Sequence, residues 1–158
     1  MDAESENPGR AAVDSTLTAS RALLGIIARS LAPVMDTVTL PQFRVLVVLS
    51  NSGPMRAGDV ASQLGANQSS FSRLSDRMVA GGLITRSTSP LDRREVILSL
   101  TEQGSRVHTE VTRTRQQEIS LVLERLSPSE RDSVRAGFEL FARAAGEPSG
   151  AETLVAGL

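Results

Sequence analysis

Between Ala57 and Leu100 the apolar residues change their spacing twice, and no other feature of the chain narrows its fold as much. Val60, Ala61 and Leu64 share one helical face over Ala57 to Leu64, Gly65-Ala66 makes a turn, and Asn67 stands where a helix N-cap belongs. Phe71, Leu74 and Met78 then keep helical spacing over Asn67 to Ala80, which leaves Gln68, Ser69, Ser72, Arg73, Asp76 and Arg77 for the other faces. Gly81-Gly82 ends that helix. Two strand-like runs follow, Leu83 to Ser87 and Glu95 to Leu100, the second alternating Val96, Leu98 and Leu100, with Thr88 to Arg94 as a charged hairpin tip. A helix, a tight turn, a second helix with small polar residues and arginine near its start, and then a β-hairpin make a winged helix-turn-helix.

The flanks read as helices. Leu17, Leu24, Ile27, Leu31 and Met35 mark an amphipathic segment from Asp14 to Val34, and Pro33 and Pro41 bracket a break. Phe43, Leu46, Val47 and Leu49 carry a second helix, which Asn51-Ser52-Gly53-Pro54 ends. Thr101 caps a long helix to about Arg125, with Val107, Val111, Ile119, Val122 and Leu126 in phase. Ser127-Pro128-Ser129-Glu130 is a capping box opening a last helix that bears Val134, Phe138 and Phe141. The expected fold is mainly α with a small β-hairpin wing, the winged helix-turn-helix being flanked by N- and C-terminal dimerisation helices. Its divisions are a flexible acidic N-terminus (1–13), N-terminal helices for dimerisation and support (14–54), a DNA-binding lobe (55–101), C-terminal dimerisation helices (102–146) and a flexible tail (147–158). The lobe does not need the terminal helices in order to fold, so their apolar stripes call for another partner. A second copy of the chain is the simplest; an intramolecular bundle in a monomer is the alternative.

Charge is distributed unevenly behind a net of −1. From Leu40 to Leu100, seven arginines (Arg44, Arg56, Arg73, Arg77, Arg86, Arg93 and Arg94) face four acids, whereas residues 1–16 and 116–158 each carry −3. A polyanion would therefore meet the centre of the chain. Without cysteine and with His108 as the one histidine, the chain offers no thiolate or multi-histidine metal site, and His108 reads as exposed or partly packed. There is no lysine for a P-loop, no G-x-G-x-x-G and no G-x-S-x-G, so the common phosphate cradles and a serine nucleophile are missing and no enzyme is expected. Four phenylalanines are the only aromatics, too few for the stacking platforms of single-strand readers. No run of apolar residues is long enough to cross a bilayer, and the acidic start is unlike an export signal, so the expected location is the cytoplasm.

Double-stranded DNA suits this distribution. A helix fits the major groove, where each base pair shows its own donors and acceptors. Asn67, Gln68, Ser69, Ser70 and Ser72 are short or polar enough to let the helix start approach, and Arg73 and Arg77, one turn apart, can grip guanine or bridge phosphates. At the wing, Arg86, Asp92, Arg93 and Arg94 complete the expected contact set, with Arg93 or Arg94 reaching the minor groove. The plain alternative pairs Arg73 with Asp76 and leaves Arg93 and Arg94 to solubilise a loop beside Asp92.

Two runs make the pattern more specific. Ser70-Phe71-Ser72-Arg73-Leu74-Ser75-Asp76-Arg77, and the set Leu83-Ile84-Thr85-Arg86, Asp92-Arg93-Arg94 and Leu100-Thr101-Glu102-Gln103-Gly104, resemble the recognition helix, wing and exit of the MarR family of bacterial regulators. By motif the likeness spans about Leu40 to Gly104. It implies a homodimer interlocked through its first and last helices, an inverted-repeat operator, a repressor role, a wing arginine in the minor groove, and a small aromatic or amphipathic effector but no cofactor. Arg21 and Arg29 are candidate anchors for an acidic effector, against a plain solvent-facing role. Where that family often has an acidic residue at the recognition-helix cap, this chain has Asn67, which cannot form the ion pair with Arg94 and leaves open whether a hydrogen bond joins the two. A winged-helix dimer that binds protein, without an operator of its own, is the alternative function.

Overall fold

The computed structural model describes residues 8–147 other than Leu91 and Arg93, and six helices and three strands form among them. In chain order these are α1 (Pro8–Leu31), a 3-10 turn (Ala32–Val34), α2 (Leu40–Ser52), β1 (Met55–Arg56), α3 (Ala57–Gln63), α4 (Gln68–Ala80), β2 (Ile84–Thr88), β3 (Val96–Leu100), α5 (Glu102–Leu123) and α6 (Pro128–Ala144).

Local chemistry sets most helix ends. The Asn67 side chain accepts from the Ser70 N–H at 2.9 Å to start α4, and Thr101 Oγ1 accepts from the Gly104 N–H at 3.0 Å to start α5. Such a cap is worth about 1 kcal/mol. At α6 the Ser127 N–H and hydroxyl both donate to the Glu130 carboxylate, at 2.8 and 2.7 Å, which holds that carboxyl below its usual pKa. Gly82, at φ 69°, supplies the left-handed backbone that turns α4 into β2.

The sheet has the order β1-β3-β2, all antiparallel, with Met55 opposite Leu98 and Arg86 opposite Leu98 from the other side. One buried cluster joins Phe43, Leu46 and Leu49 of α2, Val60 of α3, Phe71 and Met78 of α4, Ile84 and Leu98 of the sheet and Val111 of α5. Phe71 and Met78 therefore dictate which face of α4 turns outward. Shaving Phe71 to alanine would cost about 3–5 kcal/mol.

The structure corrects the sequence reading in several places. Helix α1 begins at Pro8 and not at Asp14, so residues 8–13 of the expected flexible terminus are helical. The wing is part of a three-stranded sheet and not a lone hairpin, because Met55–Arg56 pairs with β3. Within β3 only Leu98 is fully enclosed, while Val96 near the tip is exposed. The segment Gly9–Val34 is also long and apolar enough to cross a membrane by length and composition, contrary to the exclusion on run length. Its C-terminal end packs on the rest of the chain: Ile26 and Leu31 are buried, and Arg29 pairs with Glu118 of α5 at 2.8 Å. That pair commits Arg29 to the α1–α5 seam, and Arg21 donates to Thr18 at 3.1 Å.

Helix α6 has no buried residue, and Phe138, Leu140 and Phe141 are exposed together with Val13, Leu17 and Leu24 of α1. Between α1, the end of α5 and α6 lies an apolar groove of about 500 Å3, with Leu23, Ile26, Ile119, Leu123 and Phe138 on its walls.

Where α1, α2 and α5 meet, His108 stacks on Phe43 with ring centres 6.1 Å apart and shares a 3.1 Å hydrogen bond with Ser50. Arg115 lies over the other part of this joint, 5.5 Å from the Phe43 ring centre, and its Nε donates to the buried Ser30 hydroxyl at 3.4 Å. Burial, and then the Arg115 charge, push the His108 pKa down. Folding therefore favours the neutral imidazole, so between the lowered folded pKa and the unfolded value near 6.5 the unfolded chain binds more protons and stability rises with pH. We expect the melting temperature to fall as pH drops below about 6.5, and His108→Gln to flatten that slope in thermal melts between pH 5 and 7. A slope unchanged in the variant would remove His108 as its source.

Candidate nucleic-acid interface

Helix α4 and the wing face the same solvent region. With Phe71, Ser75 and Met78 turned inward, α4 exposes Gln68, Ser69, Ser70, Ser72, Arg73 and Arg77 along one side. Arg73 Nε donates to the Ser69 carbonyl at 3.4 Å and does not pair with Asp76, whose carboxylate is taken by Arg86. Among the described residues Arg73, Arg77 and Arg94 enter no ion pair, so three guanidinium charges are available to an anion. A planar guanidinium presents paired N–H donors to phosphate or to the guanine edge, which is why arginine suits both uses.

Asn67 is occupied as a cap: its Oδ1 accepts from the Ser70 N–H and from the Ser69 hydroxyl at 3.1 Å. No hydrogen bond joins Asn67 to Arg94 among the described residues, and the Asn67 oxygen serves the cap instead. At the wing, Asp92 Oδ1 accepts from the Arg94 N–H at 2.9 Å, closing the tip turn so that Asp92 shapes the backbone. Arg93 lies outside the described residues. Arg94 faces a cleft of about 440 Å3 between the start of α3, α4 and β3, shared with Arg56, Gln68, Ser72 and Glu95.

Two residues of this region have roles that the sequence reading did not assign. Arg56 joins β1 to the wing through a 3.1 Å ion pair with Glu95. Ser75, read only as part of a motif, is buried under the Arg86 guanidinium. Neither has a local signal: a two-residue strand has no periodicity, and Ser75 differs from its neighbouring serines only in what packs above it. Arg86 itself, expected on the DNA-contacting list, is bonded to Asp76 at 2.7 Å.

The model of the MarR family matches residues 38–96, from two residues before α2 to the first residue of β3. The uncharacterized HTH-type transcriptional regulator YfiV of Bacillus subtilis is 34% identical over 107 residues, covering 68% of this chain and 67% of that protein. Among solved structures, RV1404 from Mycobacterium tuberculosis superimposes with a TM-score of 0.82 at 40% identity, over 92% of this chain and 100% of that one. A MarR family protein from Bacillus stearothermophilus gives 0.77 at 25% identity, over 90% and 99% of the two chains.

Proposed function

Since the chain belongs to the MarR family and is thus a DNA-binding transcriptional regulator and not an enzyme, we propose that it is a cytoplasmic repressor that binds an inverted-repeat operator as a homodimer. The observation that carries the reading is the outward side of α4: arginines free of acidic partners, on a helix whose other side is locked into the core. Ser69, Ser72, Arg73 and Arg77 enter the major groove with Asn67 and Gln68 at the helix start, while Arg94 and Arg93 approach the flanking backbone and minor groove. A second copy covers the exposed apolar side chains of α1 and α6 and fills the groove between them. In such a dimer the two recognition helices stand about one turn of duplex apart, some 34 Å, so half-site centres fall near 10 bp.

A small aromatic or amphipathic effector, bound between the paired helices and the DNA lobe, would relieve repression by favouring a dimer whose recognition helices no longer match that spacing. This part of the reading rests on family membership. The joint of α1, α2 and α5 supports it by placing side chains of the supporting helices in direct contact at Phe43, which itself belongs to the core shared with the DNA lobe.

Selection of bound duplexes from genomic DNA by the purified protein, followed by salt titration of the tightest, tests the function. Binding should weaken steeply with salt as counterions are released. Arg73→Ala should cost about 1–3 kcal/mol on the selected duplex and relax its sequence preference, whereas Arg94→Ala should weaken all duplexes alike and reduce the salt slope by about one. Indifference of the parent to every duplex at low salt, or parental behaviour of both variants, would overturn the assignment.

A further inference from the structure

Helix α4 and strand β2 are joined through Gly81-Gly82 and Leu83, whose N–H groups all bond back to α4 carbonyls, so the start of β2 is held at the turn, while Thr85 to Thr88 beyond it are exposed. Strand β2 is moreover an edge strand, hydrogen-bonded to β3 on one side only. What bridges the remaining side is Arg86. Its Nη1 donates to Asp76 Oδ1 at 2.7 Å and its Nη2 to Ser75 Oγ. Ser75 is 1% exposed, and its hydroxyl hydrogen goes to the Ser72 carbonyl at 3.0 Å, so towards Arg86 the oxygen can only accept. Both arms of the guanidinium are thus committed to α4, one to a charge and one to an enclosed hydroxyl with a fixed direction.

We infer that Arg86 is a positioning residue that, through Asp76 and Ser75, locks the wing to the recognition helix at one angle and does not itself hold a DNA phosphate. This rests on the DNA-binding reading above. A helix in the major groove and a wing at the adjacent minor groove engage together only at an angle that matches the duplex. If the clamp is opened, only a fraction of molecules holds that angle, and the apparent affinity for the operator falls by that fraction.

The test uses the full-length chain, the duplex that the parent selects most tightly, and a scrambled duplex of equal length. Asp76→Asn, Arg86→Gln and the double variant are compared by fluorescence anisotropy at several salt concentrations. Each single change should weaken the selected duplex about fivefold, close to the most that a partly exposed ion pair can shift an equilibrium. The double variant should be no weaker than either single, the scrambled duplex should bind as in the parent or slightly tighter after Asp76→Asn, and the salt slope should stay parental. Arg86→Gln acting equally on both duplexes with a slope shallower by about one, beside a harmless Asp76→Asn, would make Arg86 a phosphate contact and overturn the inference. Parental affinity in both singles would overturn it too. Should Arg86→Gln fail to fold, Asp76→Asn, at a side chain 57% exposed, decides the matter alone. A parent that cannot tell selected from scrambled DNA overturns the functional reading, and the inference with it; a discriminating parent with unaffected variants overturns the inference only.

Discussion

Gly104→Ala is expected to lower the melting temperature by about 6–12 °C, the consequence of roughly 3 kcal/mol of overpacking in a chain of this size. Gly104 is buried in the first turn of α5, where an added Cβ would overlap the Leu83 carbonyl oxygen and crowd Leu46. Leu83 cannot yield easily. Its carbonyl also accepts from the Thr101 N–H at 3.2 Å and from the Thr101 hydroxyl at 3.1 Å, and its own N–H is bonded to the Met78 carbonyl at 2.9 Å. The clash therefore pushes on the start of the wing and the end of the recognition helix together, and operator binding should suffer with stability. Thermal unfolding followed by circular dichroism measures the first effect. A variant that melts with the parent would mean that α5 does not lie against the Leu83 backbone.

The second large effect concerns assembly. If the chain pairs as proposed, replacing Phe138 and Phe141 together by aspartate should leave it monomeric and weaken operator binding about a hundredfold or more, because a monomer reaches one half-site and loses the gain of tethered binding. Both rings are exposed in the single chain, at 45% and 57%, and no residue of α6 is buried, so the chain's own core should survive the change. A charge pressed into an apolar interface is costly whichever partner brings it. Sedimentation velocity and operator titration read the two effects separately. If the variant remains dimeric, the paired copy does not sit on this face of α6.

Much of the architecture is legible in the sequence because its signals are local. Asn67, Thr101 and Ser127 are caps that satisfy N–H groups within three residues of themselves, so they can be read without knowing the fold. The outward set on α4 is legible for a similar reason, since Phe71, Leu74 and Met78 define the inward face by period alone. Strand β1 is not legible: Met55 and Arg56 are a strand only because β3 offers them partners, and pairing across the chain leaves no mark on two residues. Arg86 shows the same limit at the site. Its place beside the other wing arginines suggests DNA contact, while its bonds go to α4.

What the chain's own order of residues determined is the succession of helices, the caps that start α4, α5 and α6 and the solvent side of α4, all of which follow from interactions within a turn or two of helix. Tertiary structure alone decided which arginines are free. Arg29, Arg56 and Arg86 are taken by Glu118, Glu95 and Asp76, and Arg73, Arg77 and Arg94 are left without an ionic partner among the described residues. A guanidinium carries the same charge at every position, and whether it meets a carboxylate depends on which distant segments the core brings within about 4 Å, a distance that sequence separation does not encode.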